Sequence, residues 1–382
     1  MLDNSLFQLF RYALREDSRE EAVNIDRDTW KNIYKLSNQH DLAHLIGYAL
    51  KNSNTKTDED LEKAFVEIMN VAFFRYAKIN YEVEAISLAL EKAQIRFMLL
   101  KGAVIRKYYK EAWLRTSCDI DILIQESDIE KVKNLFVNEL KYTYESSWNY
   151  ELSFLTASKI HIELHHVLND EVKAIDKVLS TVWERSAPAP GHSYLYEMSD
   201  EMYYFYHIAH MVKHFVKGGC GIRPFIDIWV LNNNCNFDKE KRYNLLNKAG
   251  LLKFAKAAEQ LSSAWINNEP HTLLSEQLER FVLSGGTYGT VKNRVAAQEA
   301  ITGGKFSYLI SRVFLPYEKL KLTYPKLEKR KYLFPFYQVK RWFRLFGKGR
   351  FKKTMQEAKA TLSVTAEEND KTTRLLKELG IK

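Results

Sequence analysis

The spacing of apolar residues over the first 90 positions is that of α-helices. Leu6, Leu9 and Phe10 fall on one helical face, and apolar residues again recur three and four positions apart between Asp58 and Gln94. No chemical motif accompanies either pattern. We therefore predict that residues 1–90 form an N-terminal helical region.

A period of two replaces the helical period in residues 91–170. The segments IRFMLL at 95–100, CDIDILI at 118–124 and KIHIELHHVL at 159–168 are predicted to be strands, because they are short and apolar or alternate between apolar and polar residues. A helix over 127–140 and a hairpin over 141–155 lie between the second and third of these segments. This pattern predicts an α+β protein whose core is a small mixed β-sheet.

Helical spacing returns after residue 170. The sequence APAPG at 187–191 and glycine clusters at 218–221 and 285–286 interrupt it, and they are the best candidates for linkers. We predict a helical domain over 171–318 that closes a cleft with the sheet core. Residues 319–382 are predicted to be a basic, aromatic segment and tail.

Two carboxylates stand side by side on the second predicted strand. Asp119 and Asp121 share one face, and Glu163 occupies the corresponding face of a later strand. Like charges this close repel each other unless a cation compensates them, and hard divalent cations such as Mg²⁺ prefer oxygen ligands. The sequence therefore predicts a site for Mg²⁺ (or Mn²⁺) on these three residues, whereas ordinary acids on a solvent-facing strand are the alternative.

The residues before this strand suit a polyphosphate. In FMLLKGAVIRKYY a strand ends at Lys101-Gly102 and a helix follows, so backbone N–H groups and the Lys101 ammonium can meet phosphate oxygens. LLKGA, then Arg115 to Leu123 as R-x-x-x-D-I-D-I-L, then IELHH resemble the uncharacterised nucleotidyltransferases of the DNA polymerase β-like superfamily. In the wider superfamily a Gly-Ser turn stands where this chain has Lys-Gly. HIAHMVKH at 207–214, GIRPFIDIWVL at 221–231 and the segment 324–344 extend the resemblance to roughly residues 80–346.

The resemblance implies a metal-dependent nucleotidyltransferase that moves a nucleoside monophosphate from an NTP to an acceptor and releases pyrophosphate. Asp119 and Asp121 would bind the metal, and Glu163 would complete the site and accept a proton. The acceptor is open: a small molecule, a peptide, a protein or an RNA end all fit. The residues that would contact phosphates or the acceptor are Lys101, Gly102, Arg115, His210, His214 and Arg223, with Asp227 orienting them.

His207, His210 and His214 form one stripe of a helix, with spacing that suits either a zinc site or an anion-contacting face. Histidines hydrogen-bonded within the core are favoured over zinc, because no cysteine is placed to complete such a site. Three cysteines also cannot form a disulfide framework. That composition, together with an N-terminus without a leader pattern and the lack of any long apolar run, predicts a cytoplasmic protein without a transmembrane segment.

The formal charge of +9 is local. Residues 319–353 carry 13 Lys or Arg and one acid, Glu328, while the other residues carry 44 basic against 47 acidic side chains. This segment could contact nucleic acid or an anionic membrane, which would make a surface-binding protein one alternative function. We favour helices that bury the aromatic residues and expose the lysines. A non-catalytic nucleotide-binding protein is the other alternative, against which the three intact carboxylates argue.

Overall fold

The structure is a computed structural model that describes residues 2–15, 24–148, 150–168, 172–287, 289–324, 326–345, 359, 361 and 363–381. The chain forms two compact units. The first contains residues 1–211 and 222–275, and the second contains residues 212–221 and 276–382. No helix in the described ranges has both the length and the apolar character needed to span a membrane.

The N-terminal helices of the first unit confirm the helical periodicity. Asp26 and Asp58 cap the second and fourth helices, because their carboxylates accept hydrogen bonds from backbone N–H groups of the first turn. Leu6, Leu9 and Phe10 are buried, as their spacing predicts. The four helices are α1 (Leu2–Leu14), α2 (Arg27–Gln39), α3 (Ala43–Asn52) and α4 (Glu59–Lys92).

A five-stranded mixed sheet follows, with the strand order β1-β2-β5-β4-β3. Only β2 and β5 are parallel, whereas the other three pairings are antiparallel. The isoleucines of β2 and the apolar residues of β5 pack with α4 in one buried cluster, which leaves the polar face of both strands on the other side. The strands are β1 (Phe97–Leu99), β2 (Asp119–Ile124), β3 (Thr143–Trp148), β4 (Glu151–Leu155) and β5 (His161–His165). This sheet confirms the predicted α+β fold class.

Two further strands lie where the sequence predicts only an interruption between helices. β6 (Ser186–Pro188) and β7 (Tyr196–Met198) pair antiparallel in a separate two-stranded sheet. The sequence pattern does not predict β6 because this strand contains proline, which is a poor strand former and is tolerated at sheet edges. The helices around them are α5 (Lys101–Ile105), α6 (Ile129–Asn134), α7 (Lys173–Leu179), α8 (Asp200–Phe215), α9 (Arg223–Asn234), α10 (Lys239–Lys248) and α11 (Leu252–Ile266).

The second unit is helical in its described part. Glycines permit a close approach within it, because a Cβ on Gly289 would lie 1.7 Å from the carbonyl oxygen of Gly218. Among its described residues, one small buried cluster lies around Tyr308 and another around Leu320, Leu327 and Tyr337. Its helices are α12 (Leu273–Leu283, which begins in the first unit), α13 (Val291–Thr302), α14 (Lys305–Val313), α15 (Tyr317–Thr323), α16 (Lys326–Lys329), α17 (Phe334–Leu345) and α18 (Ala366–Glu378).

The interpretation that the basic segment buries its aromatic residues is wrong for several of them. Tyr337 is buried, but Tyr332, Phe336 and Phe343 are 75%, 61% and 75% exposed. Helical spacing places Phe336 and Phe343 on one face of α17, and the sequence does not say which face packs inward. Residues 346–353 of the basic segment lie outside the described residues.

Candidate active site

The parallel register of β2 and β5 brings the predicted carboxylates together. Asp121 is the partner of Glu163, and Asp119 is the partner of His161. Neighbouring strands lie about 4.8 Å apart and alternate side chains share a face, so the two pairs stand in adjacent rows. The polar sheet face that the alternation predicts is therefore present in the structure.

Asp121 is the centre of the site. Its carboxylate is 2% exposed, and its Oδ1 accepts a hydrogen bond from Lys101 Nζ at 2.5 Å and another from His165 Nε2 at 3.0 Å. Burial would raise the pKa of Asp121, but the Lys101 ammonium and His165 outweigh it and hold this pKa well below its usual range. Asp121 is thus ionised and compensated.

The other two carboxylates are less well compensated. Burial, and then the charge of Asp121, raise the pKa of Glu163 to about 8, although Lys101 Nζ lies 3.8 Å from its Oε2. The same two causes raise the pKa of Asp119, which has no hydrogen bond or ion pair to another side chain among the described residues. Lys101 thus contacts two of the three carboxylates, and a group of like charges under these conditions favours a bound cation.

A cleft of about 240 Å³ opens beside these carboxylates. Its wall is formed by the starts of β2 and β5 and by facing residues of the β3–β4 hairpin. Asp119 and Glu163 both contribute to it, so two of the three carboxylates reach space that a small ligand could enter. The remaining lining residues are Cys118, Glu145, Ser146, Ser153, His161 and Ile162.

The Lys101-Gly102 turn is held tightly against the segment that leads into β2. Lys101 has a φ of 46°, a strained value for a residue with a side chain, and its carbonyl oxygen accepts a hydrogen bond from Tyr203. A Cβ on Gly102 would lie 2.8 Å from the Cβ of Ser117. Arg106 joins both segments, since it donates to the Gly102 carbonyl and to the Ser117 hydroxyl. These contacts fix Lys101 where its ammonium reaches Asp121.

Arg115 and Asp227 form a buried bidentate ion pair. The guanidinium donates from Nε and Nη2 to the two carboxylate oxygens at 2.7 and 2.8 Å, and the hydroxyl of Tyr109 donates to Oδ1 at 2.6 Å. Asp227 is fully buried and the Arg115 side chain is 12% exposed. Asp227 therefore orients Arg115, and this pair ties the segment before β2 to α9.

The predicted phosphate and acceptor residues do not all converge. Arg223 donates to the backbone and the carboxylate of Asp41. His210 and His214 lie in the last two turns of α8, where His210 belongs to the first unit and His214 to the second, while His207 donates to the carbonyl of Pro224. The roles of Arg223, His210 and His214 toward a ligand stay predictions. His207 makes a hydrogen bond within the core.

A sequence profile of the family described as "Uncharacterised nucleotidyltransferase" matches residues 26–267, which are 242 of the 382 residues. The chain belongs to this family. No curated protein and no solved structure matches the chain significantly.

The general activity that goes with this family is nucleotidyl transfer. The matched range contains the sheet, the three carboxylates and the pair of Arg115 with Asp227. It also contains most of the N-terminal helices, although the resemblance read from the sequence starts near residue 80. Conversely, residues 324–344 lie outside the match, so the likeness noted for that segment has no support from the family profile.

The residues of this nucleotidyltransferase fit a divalent metal. Ligand atoms of Asp121, Glu163 and His165 all lie within 4.8 Å of one another. Asp119 is not in that group, but its carboxylate has no side-chain partner in the described part of the chain and lines the same cleft as Glu163. Carboxylate oxygens suit Mg²⁺ or Mn²⁺, and an imidazole nitrogen is better accepted by Mn²⁺ than by Mg²⁺. Sequence reasoning places His165 on this face of β5 and gives it no role, although alternation with Glu163 is the signal that could have included it.

A second charged cluster of this nucleotidyltransferase was missed by sequence reasoning. Arg75 lies 3.9 Å from Asp41, which also pairs with Arg223, and 3.8 Å from Cys118, the residue before Asp119. His40 is fully buried beside this cluster and neither ring nitrogen has a hydrogen-bond partner among the described residues. These positions are far apart in sequence and carry no recognisable motif.

Two buried histidines in this region predict sensitivity to acid. Burial, and then Arg223, lower the pKa of His40 to about 4, and burial lowers the pKa of His44 to about 4 although it donates to the Leu114 carbonyl. The unfolded chain takes up protons near pH 6.5 that the folded chain does not, so stability falls as the pH drops from 6.5 toward 4. Each histidine is expected to cost about 2 kcal/mol between pH 7 and pH 5.

Urea unfolding at the two pH values measures this loss. His40→Gln removes one of the two titrations, so the free energy of unfolding of this variant is expected to fall by about 2 kcal/mol less than that of the natural chain. Parallel losses in the two proteins would show that His40 does not stay neutral in the fold.

Proposed function

We propose that the protein is a metal-dependent nucleotidyltransferase that transfers a nucleoside monophosphate from an NTP to an acceptor and releases pyrophosphate. The observation that carries this proposal is the polar face shared by β2 and β5, which groups Asp119, Asp121 and Glu163. Lys101 contacts Asp121 and Glu163 on this face. A binding protein gains nothing from three grouped carboxylates of which two are poorly compensated, whereas phosphoryl transfer between two oxygens uses such a group to hold divalent metal.

Asp119, Asp121 and Glu163 would hold Mg²⁺, with Mn²⁺ as the alternative that His165 favours. When bound, the metal would supply positive charge to the triphosphate and to the acceptor oxygen. Glu163 would accept the proton of the acceptor, because its carboxylate lines the cleft that a ligand could enter. His165 would orient Asp121 through the hydrogen bond to Oδ1.

The acceptor is a small molecule, a peptide, a protein or an RNA end. The purified chain is to be incubated with each α-³²P-labelled NTP and a cell extract, with and without Mg²⁺ or Mn²⁺. We expect one nucleotide to label an extract component, together with release of pyrophosphate, only when metal is present. Nucleotide that binds without any transfer would contradict the proposal and indicate a non-catalytic nucleotide-binding protein.

Lys101 is expected to contact the terminal phosphates of the NTP. Its ammonium lies 2.5 Å from Asp121, so it is close to the metal carboxylates, and the lysine side chain is 24% exposed. Lys101→Ala should weaken NTP binding roughly 10- to 150-fold, the value of one charge-assisted contact, and leave NMP binding nearly unchanged.

Calorimetry with both nucleotides tests this role of Lys101. Lys107→Ala is the matched control, because Lys107 pairs with Glu197 at the surface. If the affinities for NTP and NMP fall equally in Lys101→Ala, the lysine compensates Asp121 and does not bind the terminal phosphates.

A further inference from the structure

The second unit exposes apolar side chains in two helical stripes. On α14, Phe306, Leu309, Ile310 and Val313 recur three and four positions apart, and their exposed fractions run from 44% to 77%. Tyr308 lies on the opposite side of this helix and is buried in the core of the unit. The stripe is therefore not the face that stabilises the fold. Its exposure to water does not stabilise the helix.

α17 repeats the arrangement. Phe336, Val339 and Phe343 recur at the same spacing and are 61%, 42% and 75% exposed, while Tyr337 and Gln338 are buried on the other side. We call the seven exposed side chains the apolar face; its members are Phe306, Leu309, Ile310, Val313, Phe336, Val339 and Phe343.

The two helices that carry the apolar face are fixed to each other. The Trp342 indole donates to the carbonyl of Val313, and the rings of Phe314 and Trp342 are 5.5 Å apart. Arg341 donates to the carbonyls of Arg312 and Val313. Both stripes thus lie on helices that are in direct contact within the second unit.

The two helices that carry the apolar face contain cations and no acids. Neither α14 nor α17 contains an aspartate or a glutamate. Lys340 and Arg344 are exposed one turn apart on the side of α17 that borders Phe336 and Phe343, where long stems can extend away from an apolar surface. Nine Lys or Arg and one acid lie between positions 319 and 345.

From these observations we propose that the apolar face with its flanking cations binds an anionic phospholipid membrane surface. A helix that lies in a membrane interface has apolar and aromatic side chains on one side and basic residues beside them. The aliphatic side chains Leu309, Ile310 and Val339 favour lipid over nucleic acid, because they cannot stack on bases and carry no hydrogen-bonding group. Anionic headgroups complement the cations.

Vesicle sedimentation with the full chain tests the proposal. We expect binding to vesicles with 30% phosphatidylserine in phosphatidylcholine, weak binding to phosphatidylcholine alone, and a loss of binding as salt rises. Lys340→Gln with Arg344→Gln should reduce the affinity about fivefold per cation. Binding that is equal on both kinds of vesicle would overturn the proposal.

Two replacements at the same positions separate lipid from nucleic acid. Phe306→Ser with Phe343→Ser should weaken vesicle binding roughly tenfold or more, whereas Phe306→Leu with Phe343→Leu should retain most of it, since leucine partitions into lipid but cannot stack. Tyr81→Ser with Leu88→Ser is the matched control, because both residues are over 70% exposed on α4. Circular dichroism and thermal melting confirm that each variant is folded.

Three outcomes would overturn the proposal. If the serine variant binds vesicles as well as the natural chain, the apolar face does not contact lipid. If the leucine variant loses retention on RNA or DNA as fully as the serine variant, the face is a stacking surface for nucleic acid. If sedimentation shows a dimer that only the serine variant dissociates, the face is covered by a second copy of the chain.

Discussion

Replacing Asp119 with asparagine is expected to abolish metal-dependent turnover while the free energy of unfolding stays level or rises. The carboxylate is partly buried beside Asp121, has no side-chain partner among the described residues and has a raised pKa. Asparagine has the same shape without the charge, so the repulsion from Asp121 disappears together with a metal ligand. Loss of one preorganised group that stabilises transition-state charge costs about 10³-fold in rate.

Initial rates at saturating metal, and urea unfolding without metal, measure the two effects of Asp119→Asn. Asp128→Asn is the control, because Asp128 follows β2, pairs with Lys131 at 3.7 Å and has no part in the site. A clear fall in the stability of the metal-free variant would mean that Asp119 is structural and that the site lies elsewhere.

Asp121→Asn separates the two aspartates. The sequence alone predicts the same behaviour for both aspartates, because they lie two positions apart on the same face of one predicted strand. In the structure, however, Asp121 holds Lys101 and His165, so its loss leaves a largely buried ammonium without its main partner. We therefore expect Asp121→Asn to lose stability as well as activity, in contrast to Asp119→Asn.

The sheet and its carboxylates were predictable because local alternation determines them. The period of two places Asp121 and Glu163 on the face opposite the isoleucines, and a one-residue shift would bury the charges. The pairing of these strands, in contrast, could not be predicted. β2 and β5 are separated by a helix and a hairpin, and no local pattern states that they pair in parallel with Asp121 beside Glu163.

Contacts between distant positions account for most of what the sequence did not predict. Arg115 and Asp227 are 112 positions apart, and Arg223 and Asp41 are 182 apart. A single sequence contains the charges but not their partners. The resemblance therefore assigns Arg115 to a phosphate or the acceptor, although its guanidinium is bound to a buried carboxylate.

Which side of an amphipathic helix in the second unit packs inward is also not predictable from the sequence. Periodicity identifies a stripe such as Phe336, Val339 and Phe343, but an apolar stripe is normally the one that packs inward. Here Tyr337 and Gln338 pack inward instead. Deciding between two sides of one helix requires the neighbouring helices, which the local pattern does not contain.

Asp227→Ala is expected to destabilise the protein by about 3–5 kcal/mol, because it leaves the Arg115 guanidinium buried without a counter-ion. Tyr109 also loses the acceptor for its hydroxyl. Arg115→Met with Asp227→Leu removes both charges and is expected to recover most of that loss, since a buried ion pair and an apolar pair of similar size differ little in free energy. Urea unfolding of the two single variants and the double variant measures the coupling between the residues.

The same set of variants decides whether Arg115 also binds nucleotide. If its only function is to join the segment before β2 to α9, the stable double variant should bind NTP within about threefold of the natural chain, since a charge-assisted contact would cost tenfold or more. A large loss of NTP affinity in a folded double variant would instead mean that Asp227 orients Arg115 toward a phosphate. In that case Arg115→Lys should also bind poorly, because an ammonium lacks the planar fork that pairs with both carboxylate oxygens and fixes the direction of a further donor toward the ligand.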